Sequence, residues 1–129
     1  MLQTETIKSF VPTVNPAVAR DFYSNVLGLT LLGMDKYALE YECNGTLLRV
    51  ITVNEFSPHP FTALGWNVED IIVVIQHLNA KGVFCEKYGF FAQDDLGIWV
   101  SSDGSKVAWF KDPDGNTLSL TEMPVKFKL

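Results

Sequence analysis

The chain has 129 residues, of which 47% are hydrophobic and 19% charged, a composition typical of one compact globular domain rather than a disordered chain. The net charge of −5 and the pI near 4.8 disfavour nucleic acid and anionic membranes as partners. No apolar run reaches the ~18 residues of a membrane span. No signal peptide is visible, and Cys43 and Cys85 are too few for a disulfide framework. We therefore expect a cytoplasmic protein.

The N-terminal part predicts a strand followed by an amphipathic helix. Residues 7–14 are rich in β-formers, and Pro12 favours an edge position or a frayed end. Asn15 is a suitable N-cap and Pro16 a suitable first helical residue. Apolar residues then recur at helical spacing up to Gly28, which is typical of a left-handed C-cap. We expect this helix of about three turns to cover a sheet.

Three short strands are predicted after this helix, at residues 30–33, 37–43 and 46–53. The Asn44-Gly45 pair favours a tight hairpin turn between the last two strands. The first module is therefore β-α-β-β-β, over about residues 5–54. A polar segment with two prolines follows it and is predicted to be a linker within the chain.

The second half repeats this plan over about residues 60–123. A strand is predicted at residues 62–68, a helix between Asp70 and Gly82, and a short strand at residues 83–86. The spacing between the two helix starts, Asn15 and Asp70, nearly equals the spacing between the two capping glycines, Gly28 and Gly82. The sequences of the two strand–helix units therefore align almost without a gap.

An aromatic-rich insertion, residues 87–105, separates the predicted strand at 83–86 from the final hairpin. It contains Tyr88, Phe90, Phe91 and Trp99. Two interpretations stay open: a lid over a pocket, or a loop folded onto its own hydrophobic cluster.

The final hairpin is the most informative stretch. Asp112-Pro113-Asp114-Gly115 has the composition of a type I turn, which predicts that Lys111 faces Thr117 and Trp109 faces Ser119. Side chains alternate along a strand. One face, expected to pack in the core, carries Ala108, Phe110, Leu118 and Leu120. The other, which suits a pocket wall or a half-solvated face, carries Val107, Trp109, Thr117, Ser119 and Thr121.

Two stretches within these tandem modules resemble a known superfamily. FYSNVLGL at the end of the first helix and FKDPDGNTLSL near the C-terminus resemble the vicinal oxygen chelate superfamily. This group contains glyoxalase I, bleomycin-resistance proteins, fosfomycin-resistance proteins and extradiol dioxygenases. DDLGIWVSSDGSKVAWFKDPDGN is similar to small bacterial members described as glyoxalase-like. The resemblance implies an α+β fold in which tandem β-α-β-β-β modules form a curved, cup-shaped mixed sheet within one domain, residues 1–129, and a homodimer.

Metal-dependent members of this superfamily bind one divalent ion through four inward side chains, typically His or Gln, Glu, His and Glu. The resemblance places these ligand positions at Lys8, Arg49, Ala63 and Ser119. An ammonium and a guanidinium have no lone pair for a cation, which instead prefers carboxylate or imidazole ligands. His59 falls in the linker and His77 on the outer part of the second helix. We therefore predict no metal or other cofactor and assign no catalytic residue.

The predicted partner is a small aromatic and/or anionic molecule bound in the cup without metal chemistry. Trp109 offers a stacking surface, and Lys8 and Arg49 offer positive charge. The full set of predicted binding residues is Lys8, Phe10, Arg49, Ala63, Gly65, Val107, Trp109, Thr117 and Ser119, with Phe90, Phe91 and Trp99 as a possible lid. Other arrangements of the two cations stay open: they diverge, they find an acidic neighbour such as Glu40 or Glu42, or Lys8 reaches the rim while Arg49 pairs with a carboxylate.

Three functional classes stay open. The sequence leans towards a metal-free binding protein, similar to the drug-sequestering branch of the superfamily. The alternative is an enzyme, such as a metal-dependent lyase, isomerase or dioxygenase with displaced ligands. The nearby candidate acids and bases, Glu40, Glu42, Tyr37 and Tyr41, form no recognisable nucleophile–base pair. A third possibility is a cup filled by its own side chains in a protein that acts through its surface.

Overall fold

A computed structural model describes residues 1–124, which form two compact units. The first comprises Met1–Pro58 together with Asp112–Asn116, and the second comprises His59–Lys111 and the chain from Thr117 onward. Each unit holds a four-stranded mixed sheet and an α-helix, so the α+β class and the tandem β-α-β-β-β order are confirmed. Among the described residues, no helix has the length and apolar character that a transmembrane span requires.

The first unit follows the predicted order of elements. Its elements are β1 (Lys8–Thr13), α1 (Pro16–Asp21), β2 (Thr30–Met34), β3 (Ala38–Cys43) and β4 (Thr46–Thr52). The sheet order is β1-β4-β3-β2, with β1 parallel to β4 and the other pairs antiparallel. Asn44 has φ 48° and Gly45 φ 87°, the left-handed pair that a two-residue hairpin turn requires, so the predicted turn is confirmed.

The first helix begins as predicted and is followed by Gly28 in the predicted left-handed conformation, with φ 74°, but its last turn has a different form. Asn15 Oδ1 accepts a hydrogen bond from Val18 N at 3.3 Å, and Pro16 is the first helical residue. The α-helical part stops at Asp21, and a wider π-helical turn, Phe22–Val26, replaces the predicted last turn. Leu27 N closes this turn by donating to the Phe22 carbonyl at 2.9 Å. Phe22 and its neighbour Tyr23 are both buried at this point.

The second unit repeats the order with a longer helix. Its elements are β5 (Thr62–Asn67), α2 (Ile71–Ala80), β6 (Trp99–Val100), β7 (Lys106–Lys111) and β8 (Thr117–Glu122). The sheet order is β5-β8-β7-β6, with β5 parallel to β8. α2 buries Ile71, Ile75 and Leu78, whereas Ile72 and Val73 are exposed, so its buried stripe is narrower than its run of apolar residues.

The predicted strand at residues 83–86 is wrong. This segment shares one backbone hydrogen bond with β7, from Glu86 N to Trp109 O at 2.7 Å, and forms no ladder. Its Glu86 carbonyl instead accepts a hydrogen bond from Gln93 Nε2, which satisfies the group without a neighbouring strand. Trp99–Val100, inside the predicted insertion, is the strand that pairs with β7.

The β7–β8 hairpin has the predicted register. Lys111 pairs with Thr117 and Trp109 with Ser119, and Gly115 N donates to the Asp112 carbonyl across the turn at 3.0 Å. The face predicted to pack in the core is buried, at Ala108, Phe110, Leu118 and Leu120. The opposite face of this hairpin carries the candidate site.

Candidate functional site

A cluster of aromatic rings covers the face of β7 that lies opposite its buried face. It consists of Tyr88, Phe90, Phe91, Trp99 and Trp109. Phe91 contacts every other ring of this aromatic cluster, and it stacks on Trp109 with ring centroids 5.3 Å apart and planes 5° from parallel. Trp99 shares this face because it pairs with Val107 in β6–β7. One side of the Trp109 indole is therefore already covered by a ring from the insertion.

The amide side chain of Gln93 ties the two ends of the insertion loop together. Gln93 Nε2 donates to the carbonyls of Glu86 at 2.9 Å and Gly97 at 2.8 Å, while Gln93 Oε1 accepts from Tyr88 N at 2.6 Å. These bonds join the start and the end of the loop that carries Phe90 and Phe91. Phe90 and Phe91 are therefore carried by a loop with its own hydrogen bonds. The sequence left open whether this loop is a lid or packs on itself.

A pocket of about 430 Å³ opens beside the aromatic cluster. It is lined by Pro60, Phe61, Thr62, Tyr88, Phe90, Phe91, Trp109, Lys111 and Thr117. Its volume lies in the range of small-molecule sites in proteins. Phe61 and Phe90 keep 62% and 79% of their surface exposed, so aromatic surface at the pocket is available to a ligand.

The polar groups of the pocket lie at the turn end of the hairpin. Lys111 Nζ donates to Thr117 Oγ1 at 2.6 Å, and Thr117 itself is 5% exposed. Lys111 was absent from the predicted binding residues. Strand alternation could have found it, because Lys111 is two residues beyond Trp109 and shares its face.

The other predicted binding residues of this unit lie outside the pocket. Trp109 and Thr117 line it with the lid candidates Phe90 and Phe91, whereas Ala63, Gly65, Val107 and Ser119 do not. Gly65 pairs with Ser119 across β5–β8, and a Cβ at Gly65 would collide with Ser119 Oγ. Gly65 therefore permits a close approach between two strands, and a ligand role for it stays a prediction.

The three predicted binding residues of the first unit lie on another sheet face. Glu40 Oε1 is 3.6 Å from Lys8 Nζ and 3.6 Å from Arg49 Nη1, so one carboxylate bridges both cations. Phe10 pairs with Arg49 across β1–β4 and is 52% exposed. Pairing with an acidic neighbour such as Glu40 is one of the arrangements that the sequence left open besides an anion-binding pair.

The side chains at the four carried-over ligand positions do not fit a divalent cation. Lys8 and Arg49 bring positive charge, and Ala63 brings no donor atom. Within residues 1–124, no group of three or more His, Cys, Asp or Glu side chains is placed to share a metal ion. His59 stacks on Phe61 at 5.2 Å, and His77 is exposed on α2.

Two ionisable side chains of this unit, the Tyr88 phenol at the pocket and the Cys85 thiol three residues before it, are held in their neutral forms. Burial, and then the charge of Glu86, raises the pKa of the Tyr88 phenol above its usual value. Burial, followed by the charges of Asp94 and Glu86, raises the pKa of the Cys85 thiol to about 11. A thiol with this pKa is protonated at neutral pH and is a poor nucleophile.

Comparison with known proteins relates this architecture to solved structures. No protein-family model matches the chain. No curated protein matches it either. Solved structures do match: the glyoxalase family protein from Enterococcus faecalis is 25% identical, with 95% of this chain and 100% of that chain covered and a TM-score of 0.69.

Two further structures agree. A member of the glyoxalase/bleomycin resistance protein/dioxygenase superfamily from Sphaerobacter thermophilus is 21% identical, with 95% and 99% of the two chains covered and a TM-score of 0.72. The lactoylglutathione lyase from Agrobacterium tumefaciens is 15% identical, with 95% and 96% covered and a TM-score of 0.71. The chain therefore has the fold of the glyoxalase/bleomycin resistance protein/dioxygenase superfamily, and the resemblance seen in its sequence is confirmed.

Proposed function

We propose that the protein binds a small molecule with a flat aromatic ring in the pocket of the second unit, without metal chemistry. The observation that carries this proposal is the pocket of about 430 Å³ with aromatic side chains along its walls. Aromatic side chains favour offset-stacked or edge-on contacts with a ligand ring, and covering apolar surface contributes about 25 cal/mol per Å².

The stacked pair in the aromatic cluster supports this proposal. Phe91 lies parallel to the Trp109 indole, which is the geometry that a bound ring would adopt beside them. In this proposal the loop that carries Phe90 and Phe91 is the lid. A ligand ring enters between this loop and Phe61, which lines the same pocket and is largely exposed.

The chemistry of the site supports binding rather than catalysis. The Tyr88 and Cys85 side chains are neutral at physiological pH, so the pocket has no activated nucleophile or base from them. If a lyase activity such as the one named for the Agrobacterium structure were metal-dependent, the site would have to hold a divalent ion. The carried-over residues supply no suitable ligand set for it.

Native mass spectrometry of protein purified without chelators tests the metal part of the proposal. We expect a metal-free species, and a homodimer as the superfamily resemblance implies. About one divalent ion per chain would contradict the proposal and favour a metal-dependent enzyme with displaced ligands. A cytoplasmic location stays a prediction.

Titration calorimetry with uncharged flat amides tests the binding part. Suitable probes are benzamide, indole-3-carboxamide and 2-naphthamide. We expect at least one to bind, and Phe61→Ala or Trp109→Ala to weaken it by about 1–3 kcal/mol. The matched control is Phe84→Ala, since Phe84 is 66% exposed but does not line the pocket. Affinities unchanged by both pocket variants, or no binding by any probe at millimolar concentration, would contradict the proposal.

A further inference from the structure

We propose that Lys111 makes the aromatic pocket selective for ligands in which the flat ring carries a carboxylate. This inference rests on the proposed function and adds the charge of the ligand to it. Lys111 Nζ is fixed by its hydrogen bond to Thr117 Oγ1 at 2.6 Å, and both residues line the pocket. The ammonium is therefore held at the pocket wall rather than extended into solvent.

Lys111 has an unbalanced charge in this setting. Among the described residues, ion pairs join Lys8 and Arg49 to Glu40, and Lys106 to Glu122, but no carboxylate lies within ion-pair distance of Lys111 Nζ. A cation that is partly removed from water and lacks a counter-charge is costly. A ligand carboxylate would supply that counter-charge.

The hydrogen-bonding capacity of Lys111 also points to an anion. An ammonium has three donors and no acceptor. The Thr117 hydroxyl uses one of them, which leaves two for a ligand. Charge-assisted hydrogen bonds to a carboxylate are roughly twice as strong as neutral ones. The rings of Phe61, Tyr88 and Phe91, which line the same pocket, would meet the aromatic part of such a ligand.

The strand itself offers a matched control. Lys106 lies at the opposite end of β7 from Lys111, and its Nζ is 3.7 Å from Glu122 Oε2. It does not line the pocket. Replacing Lys106 therefore removes the same charge from the same strand without touching the proposed ligand.

The test compares 2-naphthoate with 2-naphthamide, two ligands of nearly equal shape that differ in charge. Calorimetry at pH 7 should show about tenfold tighter binding of 2-naphthoate by the unaltered protein. Lys111→Met should abolish this preference, so that the ratio of the two affinities falls to about one, and Lys106→Met should keep the preference. Thr117→Val, which keeps the lysine but removes its anchor, should reduce the preference and serves if Lys111→Met fails to fold.

The outcomes separate this inference from the proposed function. Equal binding of the two probes by the unaltered protein, or a preference that survives Lys111→Met, would overturn the role of Lys111 while the aromatic pocket stands. If neither probe binds and the uncharged amides also fail, the proposed function is contradicted and this inference falls with it.

Discussion

The two units have the same order of elements but carry different chemistry on their sheet faces. In the first unit, Glu40 bridges Lys8 and Arg49 on the sheet. A separate recess of about 440 Å³ lies beside the first helix and is lined mainly by polar residues. In the second unit, aromatic rings cover the face of β7 beside a pocket of about 430 Å³. The two hollows have similar volumes, but they lie on different elements and differ in the nature of their lining. The flat-ring ligand that we propose matches the aromatic lining of the second unit.

A second difference concerns the hairpin turn. Residues 112–116 follow β7 in sequence, yet they belong to the first unit by their contacts. Tyr23 Oη donates to Asp112 Oδ2 at 2.7 Å, and Asn116 Nδ2 donates to the Pro12 carbonyl at 3.0 Å. The FY of the first helix and the DPDGN hairpin, the two motifs behind the superfamily resemblance, are thus partners in one hydrogen-bond network.

The largest effect on stability should come from Asp112→Ala. Asp112 is buried, and its carboxylate accepts hydrogen bonds from Tyr23 Oη, Asn116 Nδ2, and the backbone N–H groups of Asp114 and Asn116. Losing these bonds and leaving buried donors unsatisfied should lower the free energy of unfolding by about 3 kcal/mol. Urea unfolding at pH 7 measures this change.

The control for this variant is Asp103→Ala. Asp103 also accepts a backbone hydrogen bond in a turn, from Ser105 N at 2.9 Å, but it is exposed. Its removal should change stability much less. Equal losses in the two variants would show that the turn network has no special role in joining residues 112–116 to the first unit.

A smaller effect, visible at high pH, should come from Tyr23→Phe. Burial, and then the charge of Asp112, raises the pKa of the Tyr23 phenol well above its usual 10.0. Above about pH 10 the unfolded chain releases this proton while the folded chain keeps it. The free energy of unfolding should therefore fall by about 1.4 kcal/mol per pH unit for this one group.

The free energy of unfolding of Tyr23→Phe should be about 1.5 kcal/mol lower at pH 7. Its decrease above about pH 10 should be smaller, because the contribution of the Tyr23 phenol is gone. Unfolding in urea between pH 8 and pH 11 measures both effects. Tyr37→Phe is the matched control, because Tyr37 is largely exposed, and it should keep the slope of the unaltered protein. An unchanged slope in Tyr23→Phe would mean that the buried phenol is not the group responsible.

Local turn and cap chemistry explains what the sequence predicted well. Asn15 and Asp70 cap their helices through their own side chains, and the Asp112–Asn116 turn sets the hairpin register that brings Trp109 and Thr117 to one face. These features depend on residues close together in sequence. The alternation of side chains then followed directly from the register.

Features set by more distant contacts were not predictable in the same way. The segment 83–86 looked like a strand, but the Gln93 amide satisfies its Glu86 carbonyl and β6 pairs with β7 instead. The π-helical turn at Phe22–Val26 could not be predicted from the spacing of the apolar residues. Lys111 shares a face with Trp109, which strand alternation predicts. The role that we propose for Lys111 also depends on there being no carboxylate within ion-pair distance in the described structure, which the sequence does not show.

The smallest predicted effect tests the charged face of the first unit. Glu40→Gln removes the carboxylate that lies 3.6 Å from both Lys8 Nζ and Arg49 Nη1. Both ion pairs are partly exposed and water screens them, so the free energy of unfolding should fall by only about 0.5 kcal/mol. Glu55→Gln, in the linker, is the control for the change in net charge. The loss should shrink further at 1 M salt, where the Debye length falls to about 3 Å. A salt-independent loss several times larger would contradict this estimate and would mean that folding of the protein depends on the Glu40 ion pairs. The charged face of the first unit would then contribute to stability, whereas the aromatic face of the second unit is proposed to bind a ligand.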